Sequence, residues 1–201
     1  LFFSMQAGDA CAETIVLGTN DGRLLCLHLE RKIETRLGYN PVTKVAINPG
    51  RPSFCAALLA NGDAYVAWAE KSRKSMQSKK LRVPRGDQGR STFWLQNDDD
   101  QASRSSFLLG TSRGNLYLVE CSATHKLDER SELIFRADGA PIYGIFSDKI
   151  GDSTLLVLAT ASKILHLVRK GNVVDVARDF TEFRRERLSG QLRKLLSALL
   201  R

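Results

Sequence analysis

The sequence predicts an all-β fold, a WD40-like partial β-propeller of about four blades over residues 1–177, with a short basic amphipathic helix over 178–201. Three observations predict it. First, Phe107-Leu-Leu-Gly-Thr-Ser-Arg-Gly-Asn-Leu-Tyr-Leu-Val-Glu120 reads as a β-hairpin. Two apolar runs flank a turn of small residues that tolerate positive φ, and Leu, Tyr and Val suit a pleated, half-buried surface. Second, the phrase recurs. Ile15–Leu29 is nearly a copy, with Leu17-Gly18-Thr19 matching Leu109-Gly110-Thr111 and Gly22 matching Gly114. Phe54–Trp68 carries Gly62 in its turn, and Leu155–Val168 replaces the glycines by Ala and Ser. Third, the turns are spaced by roughly 40, 50 and 50 residues, the range of four-stranded propeller blades. One hairpin is marginal in water, and one small sheet cannot bury both faces, so the copies are expected to stack.

The remaining elements follow in chain order. Residues 1–13 are read as the frayed outer strand of a first, incomplete blade. Arg31–Leu37 alternates polar residues as an exposed edge strand does, and Gly38-Tyr-Asn-Pro41 is a turn. Val42–Ile47 is a short strand, closed by Asn48-Pro-Gly-Arg-Pro52, where two prolines block continuation. Residues 70–90 read as a solvated loop feeding a charged outer strand, Lys80–Val83. Ser91–Gln96 is a strand, and residues 97–106 a polar loop. His125–Glu132 is a charged connector and Leu133–Phe135 a short strand. Ile142–Phe146 opens the next blade before a turn at Ser147–Asp152, and Val173–Val176 follows the last hairpin. From Phe180 the pattern changes. Leu188, Leu192, Leu195, Leu196 and Leu199 recur at helical spacing, with Arg and Lys opposite, so this segment suits docking or pairing with a partner helix.

An apolar fraction of 43% and a charged fraction of 26% are those of a globular protein with a sizeable core. No apolar run reaches the roughly 18 residues of a membrane-spanning helix. The chain begins Leu-Phe-Phe-Ser, so a fragment or processed piece is expected. Cys11, Cys26, Cys55 and Cys121 are scattered, without Cys-x-x-Cys, and read as small buried hydrophobes of a reducing compartment. The net charge of +8 is local. Residues 70–90 hold eight Lys/Arg against two acids and residues 178–201 seven against three, leaving the rest of the chain near neutral. That distribution, without interleaved aromatics, argues against nucleic acid. It makes Lys79, Lys80, Arg82, Arg184 and Arg185 a candidate patch for an acidic partner or an acidic membrane surface.

No catalytic or cofactor signature emerges. His28 and His166 fall in matching Leu-His-Leu segments, which indicates a repeated strand position and not a ligand pair. His125 has no Cys or His at metal-ligand spacing. Asp98-Asp-Asp100 lacks the spacing and downstream Glu of a calcium loop. Gly-Thr-Ser-Arg-Gly lies in a hairpin with no helix behind it to present amides to a phosphate. No metal, cofactor or enzymatic activity is expected.

The order of these phrases resembles the amino-terminal β-propeller of the vacuolar protein sorting 18 family, called deep orange in flies. The resembling residues are Val42-Thr-Lys-Val-Ala-Ile-Asn-Pro-Gly50, Ala57-Leu-Leu, the long basic connector, Phe93-Trp94, Phe107–Glu120, Ala140-Pro-Ile-Tyr143 and Leu156–Val168. The resemblance implies a non-catalytic scaffold of the HOPS and CORVET complexes, which tether endosomes to lysosomes or vacuoles before fusion. Its implied partners are other tethering subunits, SNARE-associated proteins or small GTPases. Its implied location is cytoplasmic, on the surface of late endosomes, lysosomes or vacuoles. No functional residue of the family carries over individually. Only about four blades are present where a closed ring has more, so a truncated, divergent or mispredicted gene product is expected. The alternative reading is a peripheral membrane or anionic-ligand binder acting through 70–90 and 178–201.

Overall fold

The structure, a computed structural model, describes residues 5–28, 31–69, 76–95, 104–123, 127–150, 153–170 and 173–176. The terminal helix expected at 178–201, with Arg184 and Arg185, and the aspartates at 98–100 lie outside these residues. The described strands form four sheets, each a meander of four consecutive antiparallel strands. The first holds β1 (Met5–Cys11), β2 (Thr14–Thr19), β3 (Arg23–His28) and β4 (Arg31–Arg36). The second holds β5 (Val42–Ile47), β6 (Phe54–Leu59), β7 (Ala64–Ala69) and β8 (Met76–Lys80). The third holds β9 (Gly89–Trp94), β10 (Arg104–Thr111), β11 (Asn115–Ala123) and β12 (Leu127–Arg136). The fourth holds β13 (Ile142–Ile150), β14 (Ser153–Thr160), β15 (Ile164–Lys170) and β16 (Val173–Val176). The four hairpins legible in the sequence are β2–β3, β6–β7, β10–β11 and β14–β15, the middle of each sheet.

Register reveals a repeat that residue types conceal. In each sheet the first strand slips by one residue against the second, at the same place. The pairs Met5↔Thr19 and Ala7↔Gly18 bracket the slip in the first sheet, and Val42↔Leu59 and Lys44↔Leu58 in the second. Gly89↔Thr111 and Ser91↔Gly110 bracket it in the third, Ile142↔Thr160 and Gly144↔Ala159 in the fourth. The residues left over, Gln6, Thr43, Arg90 and Tyr143, occupy one equivalent position. A bulge of this kind bends a strand and increases its twist.

The core lies between sheets. Val16, Leu24 and Cys26 of the first pack with Val42, Val45, Cys55, Ala57 and Leu59 of the second. Phe54, Ala56, Leu58 and Val66 face Trp94, Phe107, Leu109 and Val119 of the third. Leu108, Leu116 and Leu118 face Ile142, Leu156, Leu158 and Leu167 of the fourth. Successive side chains of a strand point to opposite faces, so β6 sends odd and even residues into different interfaces and is buried throughout. That explains its unbroken apolar sequence. In β2 the alternation survives: Val16 is buried while Ile15, facing away from the second sheet, is 43% exposed.

The first strands of successive sheets pack against one another, β1 on β5, β5 on β9 and β9 on β13. Asp9 Oδ2 accepts from Ile47 N at 2.7 Å, and the Trp94 indole N–H donates to Ala46 O at 2.8 Å. Such inner-strand succession is the arrangement of propeller blades around an axis, and the fold is a partial β-propeller.

Several expected elements are corrected. Residues 5–11 are the inner strand of a complete first blade, not a frayed outer strand, because β1 pairs with β2 and packs on β5. The outer strand of the second blade is Met76–Lys80 and not Lys80–Val83. Leu81 instead turns inward, 4% exposed, to begin the passage to the third blade. The charged stretch before Leu133 is strand, since β12 runs from Leu127 and pairs with all of β11. Its polar residues reflect an outermost position, not a loop. Strand β13 likewise continues through Ser147–Ile150, paired with Ser153–Leu156. In the third blade the first strand is Gly89–Trp94, two residues ahead of the expected Ser91–Gln96.

Candidate interaction surface

All four hairpin turns and the three links between blades lie at one end of the strands, and this turn face is where the repeats meet. Its construction explains the recurring phrase. Gly22 and Gly114 take φ of 80° and 76°, which a side chain resists. Their carbonyls accept from the links to the next blade, Leu37 N→Gly22 O at 2.9 Å and Ala137 N→Gly114 O at 2.7 Å. A Cβ on Gly114 would stand 2.7 Å from Ala140 O and 2.8 Å from Ala137 O. The threonine pins the turn from within. Thr19, Thr111 and Thr160 accept at Oγ1 from the main-chain N–H of Arg23, Asn115 and Lys163, at 3.0, 3.1 and 3.1 Å.

The aspartates of this face are engaged. Asp21 accepts from the Thr19 hydroxyl at 2.6 Å and pairs with Arg23 and Arg36 at 2.9 and 3.2 Å. That hydroxyl, assisted by the two guanidinium groups, holds its carboxyl below the usual range. Asp63 pairs with Lys80 at 2.7 Å, a hydrogen bond that raises the lysine pKa. Asp138 accepts from Lys163 at 2.9 Å and is lowered by it. Asp87 staples the second link to the third blade, accepting from Asn115 Nδ2 at 2.8 Å, Arg113 N at 3.2 Å and the Ser112 hydroxyl at 3.2 Å. Burial opposes its ionisation, but these bonds outweigh burial and its pKa is lowered.

Cations remain in excess. Arg82, Arg85, Arg90, Arg113 and Arg136 are exposed on this face, and none forms an ion pair with a described carboxylate. Apolar surface accompanies them: Tyr39 is 86% exposed and Tyr143 55% exposed. The guanidinium of Arg36 lies 5.2 Å from the Tyr39 ring centre, a cation–π distance.

The candidate patch divides accordingly. Lys79 and Lys80, adjacent on a strand, point to opposite sides. Lys79 Nζ reaches Glu129 Oε2 on the outer strand of the third blade at 3.6 Å, whereas Lys80 reaches Asp63 in its own blade. Arg82 stays on the turn face. Sequence reasoning included Arg85 and Arg90 only within the basic segment 70–90 and missed Arg113, Arg136 and Tyr143. The available signal was their recurrence beside turns and at link boundaries, not a run of charge.

The histidines require one correction. Leu24 and Ile164 are equivalent by their partners Gly18 and Ala159, so His28 and His166 stand two positions apart in the repeat. His28 shares a 2.9 Å hydrogen bond with the Thr14 hydroxyl, and burial lowers the pKa of His166. Among the described residues no group of three or more His, Cys, Asp or Glu is placed to hold a metal ion. No described helix is long and apolar enough to cross a membrane. Cys26, Cys55 and Cys121 are buried free thiols, and burial raises the Cys121 thiol to about 12.

Comparison with known proteins agrees with this architecture. The β-propeller domain of Myceliophteria thermophila Cps50 (Swd1) is 15% identical, with a TM-score of 0.59 over 83% of this chain and 52% of that one. The WD40 domain of SCAP from fission yeast is 14% identical, with a TM-score of 0.57 over 82% of this chain and 41% of that one. The Dos1 propeller, 15% identical, matches with a TM-score of 0.53 over 81% and 43%. These likenesses establish the fold, and the chain spans about half the length of the propellers it matches. No curated protein matches the sequence. The model described as the Pep3/Vps18/deep orange beta-propeller domain matches residues 5–185, nearly the whole chain, and the chain therefore belongs to that family.

Proposed function

We propose that this chain is a non-catalytic interaction scaffold of a membrane-tethering assembly of the HOPS or CORVET kind, acting where endosomes dock with lysosomes or vacuoles. Its partners are other tethering subunits, with SNARE-associated proteins or small GTPases as further candidates, and its place is the cytoplasmic surface of those organelles. The observation that carries this reading is the family match over residues 5–185. The blade construction supports it. Buried side chains are committed to interfaces between sheets, while the turns and links present a broad surface whose composition varies without disturbing the core.

For the alternative, a membrane or anionic-ligand binder acting through 70–90 and 178–201, the described part of the basic segment offers Arg82, Arg85 and Arg90 but not its two lysines. Lys79 and Lys80 are spent on Glu129 and Asp63. Affinity purification of the tagged full chain from cells at ordinary salt tests the scaffold reading. Co-purification of tethering subunits supports it. Their absence, together with salt-sensitive sedimentation on acidic vesicles, would replace it with the membrane reading.

A further inference from the structure

We propose that the turn face of the third blade, with the flanking link and Tyr143, is a docking site for an acidic peptide segment of a protein partner. Five arginines from three separate segments, 82–90, the turn at 113 and the strand end at 136, converge there. Arg82 and Arg85 lie in the link from β8 to β9, and Asp87 fastens that link to the β10–β11 turn through Ser112, Arg113 N and Asn115. The open side of Gly86 faces the Arg113 guanidinium. Asn115 pairs in register with Arg136. Arg90, the bulge residue of β9, donates to Gln88 Oε1 at 2.9 Å. The next residue, Ser91, bonds to the carbonyl of Ile142 at 2.8 Å, so Arg90 and the fourth blade's bulge residue Tyr143 flank this bond on adjacent inner strands.

No described carboxylate forms an ion pair with the five arginines of this patch. Its nearby acids are Asp87, whose two oxygens accept four hydrogen bonds, and Asp138, paired with Lys163. Chemistry selects the partner. Within this patch every cation without an ion pair to a described carboxylate is an arginine, whereas the neighbouring Lys80 and Lys163 are paired. A planar guanidinium fork recognises carboxylates two bonds at a time, which an ammonium cannot. A bilayer asks only for positive charge, which lysine supplies equally. Tyr143 adds the flat amphipathic ring that anchors protein interfaces. The proposal rests on the scaffold reading only for the partner being a protein.

The test is fluorescence anisotropy with the full chain and a short fluorescein-labelled peptide in which Asp and Glu flank one Leu and one Phe. A matched peptide carrying Asn and Gln is the reference. The acidic peptide should bind and the amide peptide should not, with affinity falling as salt rises. The Arg90→Glu/Arg113→Glu variant should weaken binding about tenfold or more. Arg82→Gln/Arg85→Gln, at exposed side chains with no ion pair to disturb, should weaken it about threefold. Lys32→Glu, on the outer strand β4, should leave it unchanged. Equal binding of both peptides, or undiminished binding by both arginine variants, overturns the proposal. So does capture of phosphatidylserine vesicles without capture of the peptide. Failure to co-purify with tethering subunits while peptide binding persists would sink the scaffold reading alone.

Discussion

The Ser91 hydroxyl donates to the main-chain carbonyl of Ile142 across 51 positions of sequence, at 2.8 Å, and ties the inner strand of the third blade to that of the fourth. Ser91 is fully buried. Ser91→Ala leaves that carbonyl without this partner and should destabilise the protein by about 1–2 kcal/mol, read as a lower urea midpoint at unchanged slope. An unaltered midpoint would mean that the two blades do not depend on this bond.

Two glycines of similar φ separate backbone strain from crowding. Gly114 and Gly139 have φ of 76° and 74°, but a Cβ on Gly139 would meet nothing within 4 Å. Gly139→Ala should therefore carry only the left-handed penalty, about 1–2 kcal/mol. Gly114→Ala adds collision with the carbonyls of Ala137 and Ala140 and should lose about 2–4 kcal/mol. Thermal melts of the pair that coincide would remove close blade-to-link approach as the reason for the recurring glycine.

The Asp87 staple predicts a pH dependence. Its pKa is lowered from 3.8 in the folded chain, so the unfolded chain takes up the proton first as pH falls. The stability it contributes is therefore complete well above 3.8 and is lost as pH drops through the lowered folded value. Asp87→Asn should lose about 1–2 kcal/mol near neutral pH, and its deficit should shrink toward strongly acid pH. Urea titrations at a series of pH values test this; a deficit that grows on acidification contradicts the assignment.

Packing between blades predicts unequal losses within one sheet type. Leu108 is 0% exposed between the third and fourth blades, whereas Ile15 is 43% exposed. Leu108→Ala should destabilise by about 2–5 kcal/mol and Ile15→Ala by about 1 kcal/mol or less. Similar losses would indicate that the outward face of the first blade is covered.

Thiol accessibility checks the same core. Cys11 is partly exposed, while Cys26, Cys55 and Cys121 are buried with raised thiol pKa values. An aromatic disulfide reagent should modify Cys11 first in the native chain and all four cysteines after unfolding. Rapid native labelling of Cys55 would contradict the interface between the first two blades.

The sequence by itself determined the hairpins, their copying and hence the blade architecture. Those features rest on local rules: apolar residues on a pleated strand, Gly-Thr-x-x-Gly at a tight turn, and a repeat length that only stacking can stabilise. Even the unbroken apolar run of β6 was readable as a strand, though the reason for it, burial on both faces, required its neighbours. Tertiary structure alone decided that residues 5–11 line the inner side, since the sign of their burial depends on β5. It decided that Lys79 and Lys80 find separate carboxylates, because strand neighbours point apart. It also gathered Arg82, Arg90, Arg113 and Arg136 onto one face. Charge acts through space, and residues from a link, a bulge, a turn and a strand end become neighbours only when the strands of the third blade pair and Asp87 fastens the incoming link to their turn.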